Sequence, residues 1–189
     1  RCPYCHNPEL VDPKQIKNQV QIKELDFFKF LDKRINLLDG VCISGGEPTI
    51  HPDLPRFIKK IKKRGFLVKL DTNGSNPKML KFLIKNNLID FIAMDIKTSI
   101  SKYNKVKAKN KISQVKKSIE IIRNSGKDYE FRTTVVPRIV DEKDIREITQ
   151  WLKGSKKIVL QQFRAKRVLD SSFENIKPYF IETLQKMIK

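Results

Sequence analysis

Three cysteines, two histidines and no long apolar run set the first limits on this chain of 189 residues. So few cysteines, two of them only two residues apart, exclude a disulfide-stapled scaffold. So few histidines leave little room for a histidine-built metal site. His51 reads as a turn or capping residue, and His6 as part of the cysteine loop rather than a ligand. No apolar stretch approaches the ~18 residues that suggest a membrane span, and no charged start followed by an apolar middle marks a secretory leader. No membrane partner is expected, and the cytoplasm is the expected compartment. Acidic residues are also outnumbered, 21 against 40 basic, which gives a formal net charge of +19. Such an excess suits nucleic acid or an acidic protein. Yet the arginines and stacking aromatics that nucleic-acid readers cluster are sparse here. The lysines are scattered: Lys59, Lys60, Lys62 and Lys63 on one expected helix, and Lys105, Lys107, Lys109 and Lys111 in a later loop. A solvated lysine-rich surface is the preferred reading, and nucleic acid is not the expected partner.

What is present is an alternation of short apolar runs with amphipathic stretches, the pattern of βα units on a parallel sheet. Helices are expected over 24–37, with Leu25, Phe28, Leu31 and Ile35 on one face, over 53–64, from 76 to about 86, over 111–125, 141–153 and 178–188. Strands are expected over 41–44, 66–71, 91–95, 129–136 and 157–163, and residues 98–110 form a long polar loop. Five strands with right-handed crossovers do not close an eight-stranded barrel, so an open, partial barrel is expected. A further strand feeding the cysteine loop would lie before Arg1.

The chain opens on Cys2-Pro3-Tyr4-Cys5, a spacing that lets two thiolates reach one metal centre or each other. In parallel α/β folds chemistry collects beyond the carboxyl ends of the strands, and four strand ends here carry pointed groups. After the first expected strand comes Ser44-Gly45-Gly46-Glu47-Pro48. Paired glycines allow close backbone approach to a ligand, and Glu47 offers a carboxylate suited to an ammonium; an ordinary strand-to-helix turn is the alternative. The next strand ends in Asp71-Thr72-Asn73-Gly74, which reads equally as a ligand edge or an Asx turn. The next ends in Met94-Asp95-Ile96-Lys97, where alternation puts Asp95 and Lys97 on one face. They form a structural ion pair or hold a polar cofactor. Arg132 and Thr134 share a face, as do Gln162 and Arg164, and an arginine in a barrel mouth suits anions; a rim position is preferred for Arg164. Cys42, among apolar residues, reads as a buried structural thiol.

Cys-Pro-Tyr-Cys is also a glutaredoxin motif, with Val136-Pro137 as a conceivable counterpart of that fold's turn. Pro8 breaks the helix that would start inside that motif, and the chain is about twice too long for one such domain. The cysteines followed in order by GGEP, DTNG and MDIK instead resemble the radical S-adenosylmethionine (SAM) superfamily. CPYCHNPEL, SGGEPT, LDTNGS, AMDIK, FRTTVVP and LQQFR together resemble its glycyl-radical-enzyme activases, most closely those serving anaerobic ribonucleoside-triphosphate reductase. The similarity covers essentially the whole chain.

The resemblance implies a partial (β/α)6 TIM-type barrel forming one domain over 1–189, with its N-terminal strand outside the chain. It implies that Cys2 and Cys5 ligate a [4Fe-4S] cluster and that Tyr4 sits beside the adenine of SAM. Gly45, Gly46 and Glu47 receive the methionyl amino group. Asp71, Asp95 and Lys97 contact the methionyl and ribose portions, with Asn73 in the same binding set, and Arg132 helps position SAM or the partner's glycyl loop. The implied partners are a glycyl radical enzyme and a reductant such as flavodoxin or ferredoxin. The family pattern is C-x-x-x-C-x-x-C, whose first cysteine would lie three residues before Arg1. With two thiolates the cluster is expected to be labile, and the chain as written to lack activity. Alternatives are an activase of the pyruvate formate-lyase type, a small-molecule radical SAM enzyme such as a deazaguanine synthase, and a cluster-free basic binding module.

Overall fold

The computed structural model describes residues 2–103 and 111–188. Five strands form one sheet: β1 (Gly40–Ile43), β2 (Leu67–Thr72), β3 (Phe91–Asp95), β4 (Asp128–Val135) and β5 (Ile158–Gln162). Every neighbouring pair is parallel and the spatial order follows the sequence, β1-β2-β3-β4-β5. Parallel neighbours need long crossovers. These are supplied by α3 (Leu54–Lys62), α4 (Pro77–Lys85), α5 (Ile112–Arg123) and α6 (Glu142–Trp151). Two helices precede the sheet, α1 (Pro13–Ile16) and α2 (Glu24–Asp32), and α7 (Ile181–Ile188) follows it. The expected α/β architecture with an open parallel sheet is thus present. The expected loop residues 104–110, with Lys105, Lys107 and Lys109, lie outside the described residues.

Strand alternation sorts the side chains into two faces. Along β4, Tyr129, Phe131, Thr133 and Val135 are buried, whereas Glu130, Arg132 and Thr134 are only half-buried on the opposite face. The main core lies between the first face and the helices. It joins Val68, Leu70, Ile92, Met94 and Phe131 of the sheet to Ile58 and Ile61 of α3, Leu80 and Leu83 of α4, Val115 and Ile119 of α5, and Ile145 and Ile148 of α6. The other face carries the charges described below. A second, smaller cluster, Tyr4, Val136, Phe163, Val168 and Ile176, sits against the cysteine loop.

Local signals explain most boundaries. Asn76 accepts the Met79 N–H at 3.2 Å and Pro77 fills the first turn of α4. Asp141 and Asp144 form a reciprocal capping box at the start of α6.

Four expectations are corrected. The helix expected over 24–37 ends at Asp32; Asn36 has a left-handed φ of 68°, so the chain turns before the last apolar residues join the helical face. Phe28 and Leu31 are buried, but Leu25 and Ile35 are exposed. Cys42 is exposed, not buried. It lies opposite in parity to the buried Ile43, on the outermost strand among the described residues. The last pairing puts Thr134 opposite Gln161 and Val135 opposite Gln162. Gln161 therefore shares the face of Arg132, whereas Gln162 donates from Nε2 to the Tyr179 carbonyl at 2.8 Å. A shift of one residue reverses a strand's facing. Finally, α7 starts at Ile181 rather than 178.

Phe131 is fully buried in the centre of the core. Phe131→Ala is expected to cost about 3–5 kcal/mol, read as a fall in the urea midpoint at unchanged slope.

Candidate active site at the carboxyl ends of the strands

All carboxyl ends of a parallel sheet open on one side, and a cavity of about 300 Å3 lies there, at the lower end of the range for small-molecule sites. Cys2, Tyr4, Cys5, Gly45, Gly46, Glu47, Asp71, Asn73, Asp95, Lys97 and Arg132 all line it. These are the eleven residues that the resemblance implies as cluster- and SAM-binding; of the other strand-end residues, Thr134 lines the cavity and Gln162 and Arg164 do not. His6, Ser44, Thr72, Thr134 and Gln161 also contribute to its wall.

The floor is a chain of ion pairs across β2, β3 and β4. Lys69 Nζ lies 3.3 Å from Asp71 Oδ1, and Arg132 Nη1 donates to Asp71 Oδ2 at 3.3 Å. Arg132 Nε donates to Asp95 Oδ1 at 3.0 Å, and Lys97 Nζ donates to Asp95 Oδ2 at 2.9 Å. Register causes this: Asp95 pairs directly with Arg132, and Asp71 with Ala93 on the intervening strand. Three cations meet two carboxylates in this chain of pairs, and the Glu47 carboxylate on the same cavity wall makes the formal charges equal. Burial would raise the Asp95 carboxyl, but Lys97 and Arg132 outweigh it and hold it below the usual carboxylate range. Burial likewise opposes the charge on Lys97, yet Asp95 keeps its ammonium above the ordinary value. Lys69 was not singled out from the sequence; its signal was its place two residues before Asp71, hence on the same face.

The GGEP turn forms one wall. Gly45 has φ 139°, a conformation that favours glycine, with open space around its α-carbon. At Gly46 a β-carbon would meet the Leu10 carbonyl oxygen at 3.0 Å and Val11 Cγ1 at 3.2 Å. Packing of the chain after the cysteine loop thus requires this glycine, independently of any ligand. Glu47 also differs from the sequence reading, in which its carboxylate faces an ammonium. It is buried, and both oxygens are engaged. Oε1 accepts from Thr49 N–H, Thr49 Oγ1 and Thr72 Oγ1, and Oε2 accepts from Asn73 N–H at 2.7 Å. Its carboxylate ties the GGEP turn to the end of β2.

At the cavity mouth Cys2 and Cys5 are half-buried free thiols in a tight turn, with Cys5 N–H donating to the Cys2 carbonyl at 3.1 Å. Tyr4 between them is buried in the second cluster, and its hydroxyl has no hydrogen-bond partner among the described residues. Below Lys97, Tyr103 is buried and accepts the Lys97 backbone N–H at 3.5 Å; burial pushes its phenol up to about 12, so it stays neutral. Ser99 and Lys102 anchor this segment to Asp144 of α6, at 2.6 Å each.

A family model described as the radical SAM superfamily matches residues 1–152. The chain belongs to the radical SAM superfamily. The cofactors of that superfamily are a [4Fe-4S] cluster and SAM. A protein of Methanocaldococcus jannaschii named as a glycyl-radical enzyme activating enzyme, MJ1227, is 35% identical over 182 residues, covering 93% of this chain and 73% of that protein. A pyruvate formate-lyase-activating enzyme of Clostridium pasteurianum is 27% identical over 165 residues, covering 84% and 67%. A solved domain of a pyruvate-formate lyase-activating enzyme from Bacteroides vulgatus shares the fold. Its TM-score is 0.64 at 20% identity, over 79% of this chain and 90% of that one.

The residues present fit these cofactors in kind. Thiolates suit iron–sulfur clusters, the Lys97 and Arg132 cations suit a carboxylate, and an unpartnered buried hydroxyl suits a polar ligand. In number the cluster ligands are incomplete among the described residues, where no group of three His, Cys, Asp or Glu is placed to hold a metal.

Two measurements check this geometry. Glu47→Ala strands four buried or half-buried donors and is expected to destabilise the protein by about 2–4 kcal/mol, with Glu47→Gln costing less, both by urea unfolding. Because the Asp95 carboxyl is depressed in the folded state, its stabilising contribution is complete above its unfolded value of about 3.9. It is lost as pH falls through the lower folded value. Asp95→Asn should therefore flatten the acid limb of the stability–pH curve and reduce stability at neutral pH.

Proposed function

We propose that this chain is the SAM-cleaving core of a glycyl-radical-enzyme activase whose partner is anaerobic ribonucleoside-triphosphate reductase. The observation that carries the reading is the convergence of Cys2, Cys5, the GGEP turn and the ion-paired floor on one cavity. The M. jannaschii relative supports the activase class by its name. Pyruvate formate-lyase is the second candidate partner, favoured by the C. pasteurianum relative.

Cys2 and Cys5 would hold the cluster with a third thiolate from outside the described residues, which the family pattern puts three residues before Arg1. Cluster and SAM together supply one-electron cleavage of a carbon–sulfur bond and an oxidant able to take a hydrogen atom from a peptide glycine. The chain's own residues bind and orient. Lys97 and Arg132 are the cations on the cavity wall that can meet the methionyl carboxylate. Asp95 and Asp71 accept from amino and ribose hydroxyl donors, and Asn73 contributes to the same wall. Gly45 and Gly46 keep side chains out of the site, and Glu47 fixes their turn rather than meeting the ammonium alone. The ring of Tyr4 is committed to packing, so its hydroxyl is the part left to reach a ligand beside the adenine. Arg132, also within reach of the partner's loop, couples the two carboxylates. Flavodoxin or ferredoxin is the proposed reductant, and the cytoplasm, which suits three free thiols, the proposed compartment. Among the described residues no helix is long and apolar enough to cross a membrane.

The test uses the full-length protein, reconstituted anaerobically with iron and sulfide and given SAM and a reductant. With anaerobic ribonucleotide reductase added, a glycyl radical should appear by electron paramagnetic resonance. Lys97→Met should weaken SAM binding by at least tenfold. A radical on pyruvate formate-lyase but not on the reductase would move the partner assignment; SAM cleavage without a glycyl radical on either would defeat the activase reading.

A further inference from the structure

The cysteine loop has no helix or strand of its own to hold it. Residues 2–5 make one internal turn, and Pro3 has no N–H to contribute. What holds the loop comes from the far end of the sheet. After β5 the chain returns across the mouth as a strap over residues 163–176. Leu169 N–H donates to the Cys5 carbonyl at 3.2 Å, and Asp170 N–H donates to the Pro3 carbonyl at 2.8 Å. Both backbone bonds flank Tyr4. The ring of Tyr4 is gripped by side chains of the same strap: Phe163, Val168 and Ile176 are buried with it, and Phe173 lies 6.2 Å from it between ring centroids. Cys2 packs against this cluster, and the His6 ring lies 5.7 Å from Phe163.

The strap is itself stiffened where it touches the loop. Asp170 Oδ1 accepts the Ser172 N–H at 3.0 Å, capping a short turn over Ser171–Phe173. That turn directs Phe173 toward Tyr4. Tyr4, Val168 and Ile176 form a cluster apart from the main core; among the described residues only Ile139 borders both. A loop held by few contacts opens locally at a small fraction of the global unfolding free energy. Ligands that must be ordered on binding lose affinity by the cost of that ordering.

We propose that the 163–176 strap is the positioning element of the cysteine loop, and that Phe173 is a positioning residue that pre-orders Cys2 and Cys5 for metal. The metal part rests on reading Cys2 and Cys5 as cluster ligands; the ordering of the loop does not. The strap thereby couples the last strand to the first motif, so the site is complete only when both ends of the described chain are folded onto the sheet.

The test uses full-length protein and the variants Phe173→Ala, Phe173→Leu and Val168→Ala. In the metal-free state, amide hydrogen exchange over residues 2–10 should accelerate at least tenfold in Phe173→Ala, while peptides from β2, β3 and β4 keep their rates. After anaerobic reconstitution, the half-life of bound iron against a chelator should fall at least tenfold. Phe173→Leu, which keeps an apolar side chain, should restore both, a rescue a mere loss of bulk stability would not produce so locally. Unchanged exchange over 2–10, or iron retained equally well despite faster exchange, overturns the proposal. If Phe173→Ala accelerates exchange everywhere, the milder Val168→Ala decides by the same criteria. Should the unsubstituted protein take up no iron while loop exchange still responds to Phe173, the strap's hold on the loop stands and the cluster reading falls.

Discussion

Lys69, Asp71, Arg132, Asp95 and Lys97 form one chain of ion pairs spanning three neighbouring strands, and much of the molecule follows from keeping that chain intact. Charges on the concave face of a sheet are costly unless each meets a partner. Here the partners are set by strand register: Asp95 lies directly opposite Arg132, and Arg132 reaches over Ala93 to Asp71. A small residue at position 93 is what leaves that path open. Any slip of β3 against β4 by one residue would send Asp95 into the apolar layer and Met94 into the cavity. The ion chain and the apolar core therefore specify the same register from opposite faces, and the concave face is left polar, with room for a ligand.

The second constraint is the Glu47 carboxylate. A buried carboxylate with four donors is a strong, directional joint. It binds the turn after β1 to the turn after β2. This converts two flexible, glycine-containing loops into one wall. Ser118 Oγ donating to the Gly74 carbonyl at 2.8 Å extends the joint to α5. A site built from loops gains precision when the loops are tied to each other and to the scaffold, and these bonds do so without using the groups that face the cavity floor.

Much of the sheet was legible in the sequence because its strands are short apolar runs bounded by glycine, proline and charged residues. The facing of Asp71, Asp95 and Arg132 followed from period two alone. What was not legible depends on neighbours distant in sequence. Leu25 and Ile35 fit a helical stripe, but the stripe has nothing to cover it once the helix ends at Asp32. Cys42 is exposed because it faces away from the buried Ile43, on the side of the sheet that carries Lys69, and which side a short apolar strand turns to the core is not written in that strand alone. Gln161 and Gln162 are adjacent and chemically identical, so only the pairing of β4 with β5 decides which one faces the cavity. Glu47 looked available because two of its four donors, Thr72 and the Asn73 backbone, lie 25 and 26 positions away. The strap over 163–176 has no periodicity, and its backbone bonds to Pro3 and Cys5 leave no trace in residue identity.

Three buried side-chain polar atoms lack a hydrogen bond among the described residues: Tyr4 Oη, Asp71 Oδ1 and Thr133 Oγ1. Folded proteins rarely leave such groups unmet, and two of these three belong to residues that line the same cavity. One is a donor and acceptor at the mouth, and the other is a carboxylate oxygen on the floor whose nearest cation, Lys69, is 3.3 Å away without hydrogen-bond alignment. Unsatisfied hydrogen-bonding capacity concentrated at one cavity is the expected mark of a site completed by a polar ligand with donors of its own.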